Sequence, residues 1–292
     1  MTIAFLVLAN TAPRVLSETI KKFSTEDVQF FVHIDKKTNR DAYMNMVGLS
    51  TYTAEYIEDR HPIYWGGYNM IKATESLARA ALRRNEADCF VLLSDDSFPL
   101  FSSSKTVREL NERPDRIDHY STPPGGQTHS RYNGFYFMDS LATSARWLPA
   151  ENREVLPTDL DKLIRLEALR ESGKYKIADI RTGSQWWSLS KTTLMGCLDI
   201  LQENSHLRTS FEFSAIPDET LFQTLAYGLV TANDGQPPQV SPMFADFSRD
   251  PKPFIFRSVA EDLVVPTNKL FIRKISNSDA IEAMQTIEGR NG

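Results

Sequence analysis

Three short apolar runs, each ending abruptly in polar residues, constrain this chain most. They are residues 3–9 (IAFLVLA), 28–34 (VQFFVHI) and 89–93 (CFVLL), rich in Val, Ile, Leu and Phe. Runs of that length and make-up read as buried strands. Helical periodicity fills the gaps between them. Over residues 68–84, Met70, Ile71, Ala73, Leu77, Ala78, Ala81 and Leu82 fall on one face, with Lys72, Glu75 and Arg83 off it. Strands alternating with helices imply βαβ units, hence an α/β fold with a mixed, mostly parallel sheet flanked by helices. Ligands of such sheets bind beyond the carboxyl ends of the strands. Three tails reach that edge: Asn10, HID at 33–35 and SDDS at 94–97.

Composition excludes more than it selects. With 292 residues the chain can bury a full core, and its net charge of −5 supplies no basic footprint for nucleic acid. The two cysteines, Cys89 and Cys197, each sit in apolar surroundings, which fits buried free thiols and a reducing compartment. The five histidines are scattered, without zinc-ligand spacing. The N-terminal apolar run is too short to span a membrane and has no basic leader. A cytoplasmic protein is expected.

Past residue 120 the pattern loosens. Residues 121–135 (STPPGGQTHSRYNGF) read as a loop, 158–172 as an amphipathic helix capped by Thr158, and 176–201 as strand then helix. A helix is expected over 217–228, a loop over 233–242, and a short helix near the C-terminus. No repeat or linker interrupts the chain, so one domain over residues 1–292 is expected.

Several short motifs carry chemical potential, each with a plainer alternative. Asp35 ends a strand and can accept hydrogen bonds from a base or sugar, or simply close a turn. YWGGYNM (64–70) sets Trp65 and two glycines before the best helix, allowing either close ligand approach or a tight packed loop. CFVLLSDDSFPLF (89–101) opens an apolar strand directly onto Asp95 and Asp96, which could hold a metal or form a polar turn. In GSQWW (183–187), adjacent tryptophans on a strand would point to opposite faces, one toward a pocket and one toward the core, while core packing alone would also account for both. KLFIRKIS (269–276) pairs Arg273 with Lys274. AIPDETLFQT (215–224) places Asp218 and Glu219 where a helix start also suits acidic residues.

Taken together and in order, LVLAN, HID, WGG, LLSDDSFPL, GSQWW, PDET, FRSV and LFIRK resemble the signature of the core-2/I-branching glycosyltransferase family. That family includes β-1,6-N-acetylglucosaminyltransferases, peptide O-xylosyltransferases and plant relatives, and the resemblance covers residues 3–274. It implies a GT-A-like domain, with a nucleotide-binding half over about 1–120 and an acceptor and catalytic half over about 121–292. It also implies a UDP-sugar donor, GlcNAc or xylose, and inversion without a catalytic metal or other cofactor. Position by position, Asp35 matches a uracil contact, Trp65 an aromatic flanking uridine, and Glu219 the catalytic base. Arg257 and Lys274, with Arg273 beside it, match cations on the diphosphate, Arg249 competing with Arg257. Where the family often reads LSGxD, this chain has Asp95 and Asp96.

The implied chemistry needs a base on an acceptor hydroxyl and charge on the leaving UDP. A helix dipole would keep Glu219 ionised. Gln185, Trp186, Trp187, Asp218, Asp95 and Asp96 are expected to line the sugar sites. Mn²⁺ or Mg²⁺ at Asp95/Asp96 is the less favoured route, and a non-catalytic sugar- or nucleotide-binding relative the other alternative. The expected partners are a UDP-sugar and a glycan or glycolipid acceptor, through which alone the protein would meet a membrane. Nucleic acid is not expected.

Overall fold

In the computed structural model, residues 1–48, 54–123, 125–133, 135–139, 160–172, 179–257 and 268–278 are described. The first part runs β1 (Thr2–Ala9), α1 (Pro13–Lys22), β2 (Val28–Ile34), α2 (Arg40–Val47), β3 (Ala54–Tyr56), α3 (Asn69–Arg84) and β4 (Ala87–Ser94). Next come β5 (Phe98–Pro99), α4 (Ser103–Glu112), β6 (Tyr120–Ser121), α5 (Gln127–Asn133), α6 (Leu160–Ser172), β7 (Arg181–Thr182) and β8 (Ser188–Ser190). Then follow α7 (Lys191–Glu203), α8 (Ser205–Glu212), a 3₁₀ turn (Pro217–Glu219), α9 (Leu221–Asp234), β9 (Met243–Ala245) and β10 (Phe271–Arg273).

The central sheet has the order β3-β2-β1-β4-β8, parallel throughout except for β8. All but the first residue of β1 is buried, as a strand covered on both faces requires. Beneath it Phe5 stacks on Phe30 at 4.9 Å and meets Phe23 at 4.8 Å. The apolar stripe of α3 closes over the same sheet. One residue read as lying off that stripe is in fact buried: Glu75, which Arg208 reaches at 3.1 Å. Cys89 and Cys197 are buried and free, as expected. A small sheet, β5-β10-β9, carries the LFIRK segment beside the end of β4.

Three local expectations need correction. The loop assigned to 121–135 contains α5, since residues 127–133 close into a helix. The helix assigned to 217–228 is broken: Ile216 takes φ 57° and Thr220 φ −137°, so a 3₁₀ turn precedes α9, which then runs to Asp234 before Gly235 caps it at φ +68°. The tryptophans of GSQWW precede β8 rather than lying on a strand, and both are buried. Thr158 and the expected C-terminal helix lie outside the described residues. No helix among the described residues is long and apolar enough to cross a membrane.

Candidate functional site

The strand order reverses between β1 and β4, and the crevice this opens lies beyond their carboxyl ends. Asn10, Asp35 and Asp95 all follow directly from strands there. Asp95 is consumed by the scaffold. Its Oδ2 accepts the backbone N–H groups of Asn10, Thr11 and Ala12 at 2.8, 2.9 and 2.8 Å, and the Tyr43 hydroxyl at 2.8 Å. It thereby ties the lead-in to α1 to the end of β4. Burial pushes its carboxyl up, Asp96 adds to this, and the donors pull it back. Asp96 instead engages Ser94 and the Arg273 guanidinium, at 3.3 Å to Nε. Arg273 also lies 4.7 Å over the Trp186 ring. No group of three or more His, Cys, Asp or Glu side chains suited to a metal ion occurs among the described residues.

Asp35 is 4% exposed and pairs with Lys37 Nζ at 2.7 Å, while its Oδ1 accepts the amides of Lys37 and Ile63 at 2.9 and 3.3 Å. The Lys37 ammonium also covers the Tyr64 ring at 4.7 Å. His33 braces the same loop: its Nε2 accepts the His61 N–H at 2.9 Å, and burial, reinforced by His61, pushes its pKa down to about 4. Trp65, at the loop tip, is 64% exposed. Gly66 then adopts φ +76°, which favours glycine, and Gly67 has room for no side chain because Asp139 Oδ1 would stand 2.0 Å from its Cβ.

The turn bearing Glu219 is latched from three sides. The carbonyl of Gly66 accepts the Ile216 N–H at 2.8 Å, and that of Arg131 accepts the Ala215 N–H at 3.0 Å. The carbonyl of Glu219 itself accepts the Gly183 N–H at 3.0 Å and the Thr182 hydroxyl at 3.1 Å. Gln223, fully buried on α9, donates to the carbonyls of Ser184 and Asp218 at 2.8 and 3.1 Å. Ile216 is β-branched and held at positive φ, a conformation that persists only where surrounding contacts impose it. Burial raises the Glu219 carboxyl and the Arg131 charge draws it back.

The other expected residues divide. Trp187 is fully buried against Phe222 at 5.3 Å and is core. Trp186, also buried, lies beneath Arg273, and Gln185 Nε2 is buried without a hydrogen-bond partner among the described residues. Arg257 is exposed and Lys274 half-buried; neither has an ion pair among the described residues. The Phe256 N–H donates to the Lys274 carbonyl at 2.8 Å, which brings their two backbones together. Arg249 is committed elsewhere, 2.6 Å from Asp246 and 4.0 Å over Phe254. Two surface cavities of about 570 and 590 Å³, lined by groups such as Gln29 and Arg84 or Lys72 and Arg208, share no residue with the Glu219 turn.

Sequence reading missed Lys37, Tyr43, Arg131 and Asp118. Asp118 accepts the amides of Ser184 and Ser241 at 3.0 and 2.9 Å, and a Cβ on Gly183 would come within 2.0 Å of its own Cβ. The glycine of GSQWW signals this close approach; nothing local signals the rest.

These features define a mixed α/β enzyme scaffold with its polar side chains gathered at the carboxyl edge of a parallel sheet. Residues 3–240 match the Core-2/I-Branching enzyme family, and the chain belongs to it, as the order of its motifs suggests. No curated protein matches the sequence. Among solved structures, Staphylococcus aureus TarS 1–349 with UDP is similar at 14% identity, covering 48% of this chain and 43% of that one, with a TM-score of 0.25. The same protein with UDP-GlcNAc gives 14%, 48%, 42% and 0.25. A Leptospira borgpetersenii cytidylyltransferase gives 14%, 80%, 96% and 0.28. Likenesses this distant bear no weight. This chain spans less than half of TarS 1–349.

Proposed function

We propose that the protein is an inverting glycosyltransferase of GT-A type that moves a sugar, GlcNAc or xylose, from UDP to an acceptor hydroxyl. The observation that carries this reading is the latched turn. Glu219 is partly buried and raised by burial, and its turn is fixed through the Ile216 N–H to the carbonyl of Gly66, beside Trp65, and through the Glu219 carbonyl to the N–H of Gly183 in the GSQWW segment. A carboxylate held this way by its backbone leaves its side chain to act as a base. Glu219 takes the proton of the acceptor hydroxyl as its oxygen bonds to the anomeric carbon, and the electron pair of the broken bond leaves with UDP. A positioned base contributes about 10²- to 10⁴-fold.

Asp35 and Trp65 hold the uridine in this reading, while Arg257 and Lys274, free of ion pairs among the described residues, meet the diphosphate. Arg249, already bound to Asp246, is set aside. Gln185, Trp186 and Asp218 border the sugars, and Trp187 is withdrawn from that list because it is core. No metal is assigned to Asp95 or Asp96, whose oxygens serve backbone amides, Tyr43, Ser94 and Arg273. The product enters a glycan or glycolipid.

The test is Glu219→Gln. Release of UDP from UDP-GlcNAc or UDP-xylose should fall at least about 100-fold, while calorimetric binding of UDP, with or without chelator, stays within twofold. Wild-type turnover by that variant removes Glu219 as base, and UDP binding that vanishes with chelator moves the diphosphate to a metal site.

A further inference from the structure

Beside Glu219 lies a second carboxyl, placed above only at the border of the sugars and given no part in proton transfer. Asp218 Oδ1 is buried and has no hydrogen-bond partner among the described residues. Among the described residues, the one side-chain hydrogen bond to this residue comes from Gln223 and goes to its backbone carbonyl, not to its carboxylate. Two like charges act on it. Glu219 shares its turn, and Asp139, whose Oδ2 accepts the Asn69 N–H at the start of α3, adds a second like charge. The Arg131 charge acts on Glu219 instead. Asp218 as a whole is half-buried, but a carboxylate oxygen buried without a donor, next to another carboxylate, is costly in a way that a neutral acid is not.

We propose that Asp218 is a positioning residue that keeps its proton in the weakly acidic range where an ordinary aspartate is ionised, so that there the pair carries one negative charge and that charge resides on Glu219. The role ascribed to Glu219 rests on the function proposed above; the proton on Asp218 does not. Burial, then the charge of Glu219, pushes the Asp218 carboxyl up to about 7, in agreement with the geometry. Pairs of acids driven apart in this way mark which one holds the proton and which the charge. The pair titrates as a unit, so ionising Asp218 above neutrality crowds a second charge against the base.

The sign for stability follows. Between the ordinary aspartate range and about 7, the folded protein holds a proton that the unfolded chain releases, so stability falls as pH rises through that window. Asp218→Asn keeps the shape of the neutral acid. Its advantage in Tm over wild type should be larger at pH 8 than at pH 5 by on the order of 5 °C. In the intact protein, carboxyl-carbon NMR should show Asp218 titrating near neutrality, and Glu219→Gln should shift that midpoint down. Whatever its rate, the pH profile of UDP release from UDP-GlcNAc by Asp218→Asn should have its alkaline limb moved up by about one pH unit or more. A wild-type Asp218 carboxyl that titrates in the ordinary aspartate range overturns the proposal, whether or not the variant folds. So does a Tm difference that is the same at both pH values. Neither readout requires turnover, so failure of Glu219 as the base, reported by Glu219→Gln kinetics, remains separate.

Discussion

Two buried acidic clusters sit in this molecule, and they are built in opposite ways. At the end of β4, one oxygen of Asp95 receives three backbone amides and a tyrosine hydroxyl. At the turn before α9, Asp218 has an oxygen without a partner among the described residues, and Glu219 is half-buried, with the Arg131 charge drawing its carboxyl back down. Both clusters lie at sequence positions that advertise chemistry. A carboxylate saturated with donors holds elements together; a carboxylate left short of donors is destabilised in its charged form and poised to take a proton.

The largest effect that would sharpen this contrast is Glu219→Gln, already expected to abolish turnover and leave folding intact. Its counterpart is Asp95→Ala, which strips partners from the amides of Asn10, Thr11 and Ala12. Chemical denaturation should report a loss of about 3 kcal/mol. Were Asp95→Ala to fold normally and lose only divalent-dependent activity, the contrast would break.

Next come the cations. Arg257→Ala should weaken UDP binding by about tenfold to a hundredfold in calorimetry, a charged hydrogen bond being worth about 1.5–3 kcal/mol. Arg249→Ala should leave it nearly unchanged. A reversal of those two results would reassign the diphosphate contact.

The pH profile tests the base directly. Because burial raises the Glu219 carboxyl, turnover should decline, as pH falls, at a higher pH than an ordinary glutamate would give. An acid limb in the ordinary range, measured on kcat with UDP-GlcNAc, would contradict the burial of the working form. The smallest structural effect is expected for Trp65→Ala. At 64% exposure the change should cost no more than about 0.5 kcal/mol of stability, yet lose about tenfold in UDP affinity if the indole stacks on the base.

The strands β1, β2 and β4 were legible because apolar runs bounded by polar residues have few other solutions, and α3 because its stripe repeats at the helical period. The break at Ile216 was not. Pro217, Asp218 and Glu219 obey every rule for a helix start, and what stops the helix is a hydrogen bond to Gly66, about 150 residues away in sequence. Asp95 and Asp96 showed their proximity to the crevice but not their partners, which arrive from the α1 lead-in and from β10. For the paired tryptophans, core packing of both was open alongside a pocket role, and the sequence could not decide because the choice depends on α9 and Arg273 packing from elsewhere.

The antiparallel pairing of β8 with β4 has a consequence for handling the protein. Residues 188–190 cover the last row of hydrogen-bonding groups on a sheet otherwise finished by residue 94. A fragment stopping near residue 120 would retain the whole parallel sheet yet expose the flank of β4 as a template for other chains. Such a fragment should self-associate, and during synthesis the same flank stays unguarded until the later segment emerges.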